Sequence, residues 1–326
     1  MRIGVLGRTS MLYDTIIRLI KLEYDIAFIG TCKASPEYNK TEEDFKVLAK
    51  ENNIPYFFDS DVKRHIDIMK ESADIVISMN WINVLDEGII DLFPLGIINA
   101  HPGHLPQYRG NACPNWAIIN GEKEFSITIH YMRGGILDSG DIILQKNFPI
   151  FEDTNISDVY DVLYEEIPKS FEEAIYMIEK MNFVPLRQNE EVASRCFPRV
   201  PHDSFIDWNE NCEKISRIIR ASASPFVGAY TYYNDKKCYI HHCEIEHPKE
   251  KYYAIPGQVV YRNIKDGLIK IAAGDGFICV REFIVNDHRI KASEVVRSLR
   301  ARMNYHLQDE IYEIKKLLIR ISNTKS

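Results

Sequence analysis

The sequence predicts an α/β fold built on a mostly parallel sheet, followed by a small all-β domain and a closing helix. Three observations carry this. Short apolar runs alternate with amphipathic stretches from Arg2 to Ile98, the rhythm of βαβ units whose crossover helices make neighbouring strands parallel. The run Leu95-Gly96-Ile97-Ile98 stops abruptly at Asn99-Ala100-His101-Pro102-Gly103, as a buried strand does when it delivers side chains to its carboxyl end. After Glu210–Ala221, short strand-like runs are separated by Asn234-Asp235, Lys265-Asp266-Gly267 and Gly274-Asp275-Gly276, the turn chemistry of a small barrel.

The elements follow in order. Arg2–Leu6 is the first strand. Ser10–Leu22 is a helix capped by Thr9 or Ser10, whose hydroxyl can accept a first-turn N–H. Asp25–Thr31 is the second strand, and Thr41 opens a helix with Asp44 completing a capping box. Ile54–Phe58, Ile75–Met79 and Gly96–Asn99 read as further strands, with helices over Asp61–Glu71 and Asp86–Phe93. Ser126–Met132 and Asp141–Pro149 are expected as later, antiparallel strands. Ile156–Met181 is a long amphipathic helix. Glu210–Ala221 is helical, and Ala292–Ile321 reads as one helix with apolar residues at Leu299, Met303, Leu307, Ile311 and Ile314. That stripe suggests a packed helix or a homodimer face. The expected domains are 1–182, a linker over 183–203, 204–290, and a helical extension over 291–326.

At 326 residues the chain has room for two cores of useful size. Apolar residues make up 45%, but no run approaches the ~18 needed to span a membrane. Met1-Arg2-Ile3-Gly4-Val5-Leu6-Gly7 reads as a strand rather than a signal peptide, because no small-residue cleavage site follows. Seven cysteines without paired spacing argue against a disulfide framework. A cytoplasmic protein is expected. Gly4-Val5-Leu6-Gly7-Arg8-Thr9-Ser10 lacks the third glycine of a dinucleotide loop and is not a P-loop. Cys238, His241, His242 and Cys243 lack the companion cluster of a zinc site, so no metal is expected.

The chemistry concentrates between Asn99 and Asp141. Asn99 and His101 are two apart, so on an extended backbone they face the same way. The Asn99 amide can stabilise an oxygen gaining negative charge, as in acyl transfer. His101, with an ordinary pKa of ~6.5, can accept the proton an attacking amine must lose. Asp138, in Gly134-Gly135-Ile136-Leu137-Asp138-Ser139-Gly140-Asp141, can orient the imidazole, stabilise its charged form, or pass a proton to a leaving group. Taken alone, an Asn-x-His strand end also suits a turn with a satisfied histidine, and the glycines about Asp138 suit a hairpin. No motif cysteine or serine has an evident activating base, which makes direct transfer simpler than a covalent route.

The order Asn99-x-His101, Leu105-Pro106-x-Tyr108-Arg109-Gly110, His130, Leu137-Asp138-x-Gly140 resembles the formyltransferase family that uses 10-formyltetrahydrofolate. The similarity continues through Phe197-Pro198-Arg199-x-Pro201-x-Asp203-Ser204-Phe205-Ile206-Asp207-Trp208, Pro225-Phe226-x-Gly228-Ala229-Tyr230-Thr231 and Ala273-Gly274-Asp275-Gly276. The resemblance implies a Rossmann-like catalytic domain followed by an OB-like barrel. It implies that Asn99, His101 and Asp138 form a catalytic triad. It further implies that Asn83, Val84, Leu85, Gly135, Leu137 and Asp138 line the site of 10-formyltetrahydrofolate. His130 supports Asp138 or its loop, or serves the core.

The family formylates very different acceptors. Members acting on methionyl-tRNA must neutralise backbone phosphates, and they usually carry a basic, glycine-rich loop of Asp-Arg-Pro-x-Gly-Arg-Gly type. Here the corresponding stretch is Cys32-Lys33-Ala34-Ser35-Pro36-Glu37-Tyr38-Asn39-Lys40-Thr41-Glu42-Glu43-Asp44, and the formal charge of the chain is −7. A nucleotide-linked amino sugar is therefore the expected acceptor and partner, giving an N-formylated sugar for cell-surface glycans, with neither nucleic acid nor membrane involved. Methionyl-tRNA is the alternative. Arg109 is the expected diphosphate contact. Tyr108 and Trp116 are expected to pack on a sugar or base, although Trp116 equally suits a structural role in the next helix. Relatives have Ser-Leu-Leu-Pro where this chain has Gly103-His104-Leu105-Pro106, so His104 is an added candidate contact.

Overall fold

The computed structural model describes residues 1–35, 38–181, 183–234, 236–304 and 307–323. Pro36 and Glu37 of the acidic segment, Asn182 at the expected domain end and Asp235 of the first turn lie outside them. Two compact units emerge: residues 1–117 with 121–199, and residues 118–120 with 200–326.

The first unit holds β1 (Arg2–Gly7), α1 (Ser10–Lys21), β2 (Asp25–Thr31), α2 (Glu42–Glu51), β3 (Tyr56–Phe58), α3 (Ile66–Met69), β4 (Ile75–Met79), α4 (Glu87–Ile90), β5 (Ile97–His101), β6 (Arg109–Gly110), α5 (Cys113–Asn120, whose last three residues group with the second unit), β7 (Glu124–Tyr131), β8 (Ile142–Pro149), α6 (Ile156–Lys180) and β9 (Arg195–Cys196). Its main sheet has the order β3-β2-β1-β4-β5-β7-β8. The first five strands are parallel, while β7 pairs antiparallel with β5 and β8. Strand order reverses between β1 and β4, the kind of position where such sheets open a crevice.

Local chemistry explains the elements. The Thr9 side chain accepts the Leu12 N–H and caps α1, which buries Leu12, Ile16 and Leu19 at helical spacing. Asp44 accepts the Thr41 N–H at 2.8 Å, as the capping-box spacing predicts. Central strands β1 and β4 are buried almost throughout, as strands covered on both faces must be. In α6, Val159, Leu163, Ile167, Phe171, Ala174 and Ile178 form the buried stripe, and the helix ends at Met181 in left-handed conformation, φ 48°.

The second unit holds α7 (Cys212–Ser222), β10 (Ala229–Tyr233), β11 (Lys236–Ile240), β12 (Glu244–Glu246), β13 (Val259–Arg262), β14 (Ile269–Ala272), β15 (Phe277–Val280), β16 (Glu282–Val285), β17 (His288–Lys291), α8 (Ala292–Val295) and α9 (Leu307–Asn323). The strands form two four-stranded sheets, β10-β11-β16-β17 and β12-β15-β14-β13, antiparallel in their pairings. They enclose Trp208, Ile215, Ile219, Ile240, Ile271 and Phe283. Trp208 donates its indole N–H to Thr231 Oγ1, which satisfies its one polar atom in the core.

The single helix expected over Ala292–Ile321 is corrected. Residues 296–304 are not helical, and Met303 N donates to Gly257 O at 2.8 Å while Val259 N donates to Ala301 O at 3.2 Å. Ala301 and Met303 are buried there. Burying them against β13 outweighs helical propensity, which is only a weak prior. No helix among the described residues is long and apolar enough to cross a membrane.

Candidate active site

Asn99 and His101 sit on the same face at the carboxyl end of β5, as their spacing requires. Antiparallel pairing sets His130 of β7 directly opposite Asn99, so the cross-strand neighbour shares that face. The Asn99 amide nitrogen lies 3.2 Å from His130 Nε2, and His130 Nδ1 lies 2.8 Å from the Tyr131 carbonyl. An Nδ1–H tautomer satisfies both contacts.

Asp138 arrives from the loop between β7 and β8. It is buried and holds a left-handed backbone, φ 55°, a conformation Asp tolerates better than most side chains. Its Oδ2 accepts the Gly110 N–H at 2.8 Å and lies 3.6 Å from His101 Nδ1. Its Oδ1 is 3.5 Å from His130 Nε2. The structure thus brings Asn99, His101, His130 and Asp138 into one cluster.

Tyr108, itself left-handed at φ 57°, turns its carbonyl toward His101 Nε2 at 2.6 Å. That contact makes Nε2 a donor and leaves Nδ1, facing Asp138, as the position that can take up a proton. Glycine at 103 follows from the closeness of this pair. A Cβ there would stand 2.5 Å from His101 Nε2 and 2.6 Å from the Tyr108 oxygen.

Electrostatics divide the charges. Burial pushes the His101 imidazole below its ordinary value, although Asp138 and the Tyr108 carbonyl pull the other way. Burial also raises the Asp138 carboxyl, but His101, His130 and the Gly110 N–H outweigh it and hold the group well below the usual carboxylate range. The site at neutral pH therefore holds a neutral imidazole beside a carboxylate, poised to accept a proton.

This has a stability consequence. Below pH ~6.5, the ordinary histidine value, the unfolded chain binds more protons than the folded one, so the His101 contribution is complete above that pH and declines as pH falls. A side-chain NMR titration of His101 should give a midpoint below ~6.5; a midpoint above it would overturn this charge assignment.

Cys113, the first residue of α5, is a neighbour the sequence did not single out. Its Sγ lies 3.7 Å from His101 Nε2 and donates to the Tyr108 carbonyl at 2.9 Å. Its hydrogen bond with Cys196, together with burial, raises this thiol strongly. Because Nε2 is a donor, it cannot take the thiol proton, and Cys113 is not an activated nucleophile.

Other expected contacts fall as follows. Leu85 is buried and its carbonyl accepts the Gly135 N–H at 3.2 Å, so the segment after β4 touches the loop carrying Leu137 and Asp138. The Asn83 amide donates to Ser60 O at 2.9 Å. Ile82, Val84 and Ile136 are exposed, and a Cβ at Gly135 would meet nothing within 4 Å. His104 Nδ1 lies 2.8 Å from Ser126 Oγ, Tyr108 Oη donates to Glu122 at 2.5 Å, and the Trp116 indole donates to Phe197 O at 2.9 Å.

The expectation of Arg109 as a diphosphate contact is corrected. The side chain is buried, its Nε and Nη2 bond Gln188 Oε1 at 3.0 and 2.7 Å, and Nη1 and Nη2 bond the Glu190 carboxylate at 2.8 Å each. A buried guanidinium must find its acceptors within the fold, and the stretch expected to be a linker supplies them. Among the described residues, no three His, Cys, Asp or Glu side chains group to hold a metal ion.

An amide and an imidazole at the end of a parallel strand, with a buried carboxylate from a neighbouring loop beside them, are groups that proton-coupled group transfer in an α/β enzyme uses. The formyl transferase family model matches residues 1–175 and the model of the formyl transferase C-terminal domain matches residues 200–300. The chain belongs to the formyl transferase family. Among solved structures it is similar to WlaRD, a sugar 3N-formyl transferase crystallised in the presence of dTDP and 5-N-formyl-THF, with 20% identity and TM-score 0.66 over 88% of this chain and 98% of that one. It is similar to the N-formyltransferase from Helicobacter canadensis in complex with folinic acid and dTDP-3-aminofucose, with 19% identity and TM-score 0.66 over 85% and 97%. It is also similar to HypX from Aquifex aeolicus, with 19% identity and TM-score 0.58, covering 92% of this chain but only 49% of that one.

Proposed function

We propose that the chain transfers the formyl group of 10-formyltetrahydrofolate to the amine of a nucleotide-linked amino sugar. The observation that carries formyl transfer is the geometry of the His101 imidazole, its Nε2 2.6 Å from the Tyr108 carbonyl and its Nδ1 3.6 Å from the Asp138 carboxylate. The sugar nitrogen attacks the formyl carbon, forming a C–N bond. His101 Nδ1 takes the proton the nitrogen loses, an effect worth about 10²–10⁴-fold. One Asn99 N–H is aimed at His130, and the second stabilises the tetrahedral oxyanion, worth about 10²–10³-fold. Asp138 stabilises the imidazolium and favours return of a proton to the folate nitrogen as its bond to the formyl carbon breaks. The apolar side chains of Ile82, Val84 and Ile136 suit the folate ring.

The acceptor assignment is supported by a formal charge of −7 and by an acidic stretch where a basic loop would serve tRNA. The sugar N-formyltransferases described above, crystallised with dTDP or a dTDP-sugar and a folate ligand, share the fold. Incubating the chain with the donor and a panel of dTDP- and UDP-linked amino sugars, beginning with dTDP-3-aminofucose, should add one formyl group to a panel member by mass spectrometry. Formate release without any amine, or formylation of methionyl-tRNA instead, overturns the acceptor.

A further inference from the structure

The segment after α6 is stitched to both sides of the site. Leu186 and Ile142 exchange backbone hydrogen bonds of 2.8 Å. Ser194 O accepts the Arg109 N–H at 3.0 Å, Cys196 O accepts the Asn111 N–H at 3.1 Å, and Ser194 Oγ accepts the Tyr108 N–H at 3.0 Å. Strands β6 and β9 pair in parallel through these contacts.

Gln188 stands at the centre and is 6% exposed. Its Nε2 donates to the carbonyls of Asp138 at 2.9 Å and Gly140 at 2.7 Å, while its Oε1 accepts from Arg109 Nε and Nη2. Both amide protons and both oxygen lone pairs are thereby used, the full capacity of a glutamine. One side of this amide grips the backbone of Asp138. The other grips Arg109, whose neighbour Gly110 donates its N–H to Asp138 Oδ2.

We propose that Gln188 is a positioning residue for the Asp138 carboxylate: it locks the two loops whose separation sets the Gly110–Asp138 hydrogen bond and holds Asp138 in its left-handed conformation. The inference rests on the reading of Asp138 as part of the catalytic machinery. Gln188 Nε2 holds the carbonyl of Asp138 itself and that of Gly140 two residues on, which fixes the chain on the carboxyl side of this left-handed residue.

Two variants of the full chain test this. Gln188→Met keeps the volume and removes every hydrogen bond; Gln188→Glu keeps the acceptors for Arg109 and loses both donors to the Asp138 loop. The readout is the Asp138 carboxyl carbon in an NMR pH titration, assigned by its disappearance in Asp138→Asn. The titratable groups facing it are His101 from β5, His130 from β7 and Cys113 from α5, all retained in both variants. The wild-type carboxyl should stay ionised well below the ordinary range, and Gln188→Met, if it remains folded by circular dichroism, should titrate higher than the wild type, with Gln188→Glu serving to show whether the Arg109 contacts alone keep the fold. An unchanged midpoint in folded Gln188→Met overturns the proposal. A separate assay, formyl transfer to dTDP-3-aminofucose by Asp138→Asn, keeps the two readings apart: full activity there removes Asp138 from the chemistry while the NMR result still decides the role of Gln188.

Discussion

Asp138→Asn is expected to lower kcat by about 10³- to 10⁴-fold, the scale seen when a carboxylate that orients a catalytic imidazole becomes an amide. The amide oxygen can still accept the Gly110 N–H, so the loop keeps its anchor. The same amide oxygen would then face His101 Nδ1, 3.6 Å from Oδ2 in the wild type, and the new NH2 group would take the place of Oδ1, 3.5 Å from His130 Nε2. That removes the charge that stabilises imidazolium and leaves only a neutral acceptor beside His101. The melting temperature should shift by no more than the ~2–4 °C that 1 kcal/mol produces in a protein of this size class. Near wild-type kcat in a folded Asp138→Asn protein would remove this residue from the mechanism.

His101→Gln should lower kcat by about 10²–10⁴-fold, the contribution of a positioned general base. Glutamine is chosen because its terminal N–H can replace Nε2–H toward the Tyr108 carbonyl, 2.6 Å from His101 Nε2. The variant therefore removes the proton acceptor while leaving that buried carbonyl satisfied. Because His101 and Asp138 act as a unit, the double variant should be barely worse than either single one. Multiplicative losses in steady-state kinetics would show that the two residues work independently.

Much of the first unit was legible in the sequence. The strands Asp25–Thr31 and Ile75–Met79 match their expected bounds, and the Thr9 and Thr41 helix starts appear where the capping residues stand. Local rules suffice there, because each element is specified by its own periodicity and end chemistry. Asn99 and His101 share a face for the same reason. The helix expected over Asp61–Glu71 is reduced to the 3₁₀ turn Val62–His65 and the short α3, and that expected over Asp86–Phe93 to α4. His101 lies inside β5 rather than beyond it, since its backbone pairs with Thr128 across the sheet.

The roles of Arg109, Cys113 and Gln188 carried little readable signal. Arg109 meets Gln188 and Glu190 across 79 and 81 positions, and Gln188 reaches Asp138 across 50. A motif scan sees Arg109 beside a strand end and assigns it to the ligand. Only the folded chain reveals a segment, taken for a connector, that meets its guanidinium first. The weak cue was the spacing of polar Gln188 and Glu190 in a stretch without apolar periodicity.

The amino-acid order by itself determined the alternating α/β architecture, the shared face of Asn99 and His101, and the loop of Asp138, because these depend on neighbours a few residues apart. The tertiary structure alone decided which imidazole nitrogen is left to accept a proton, where Arg109 points, and what holds Asp138. Those depend on desolvation and on hydrogen bonds closed between distant segments, and both exist only once the chain has brought them together.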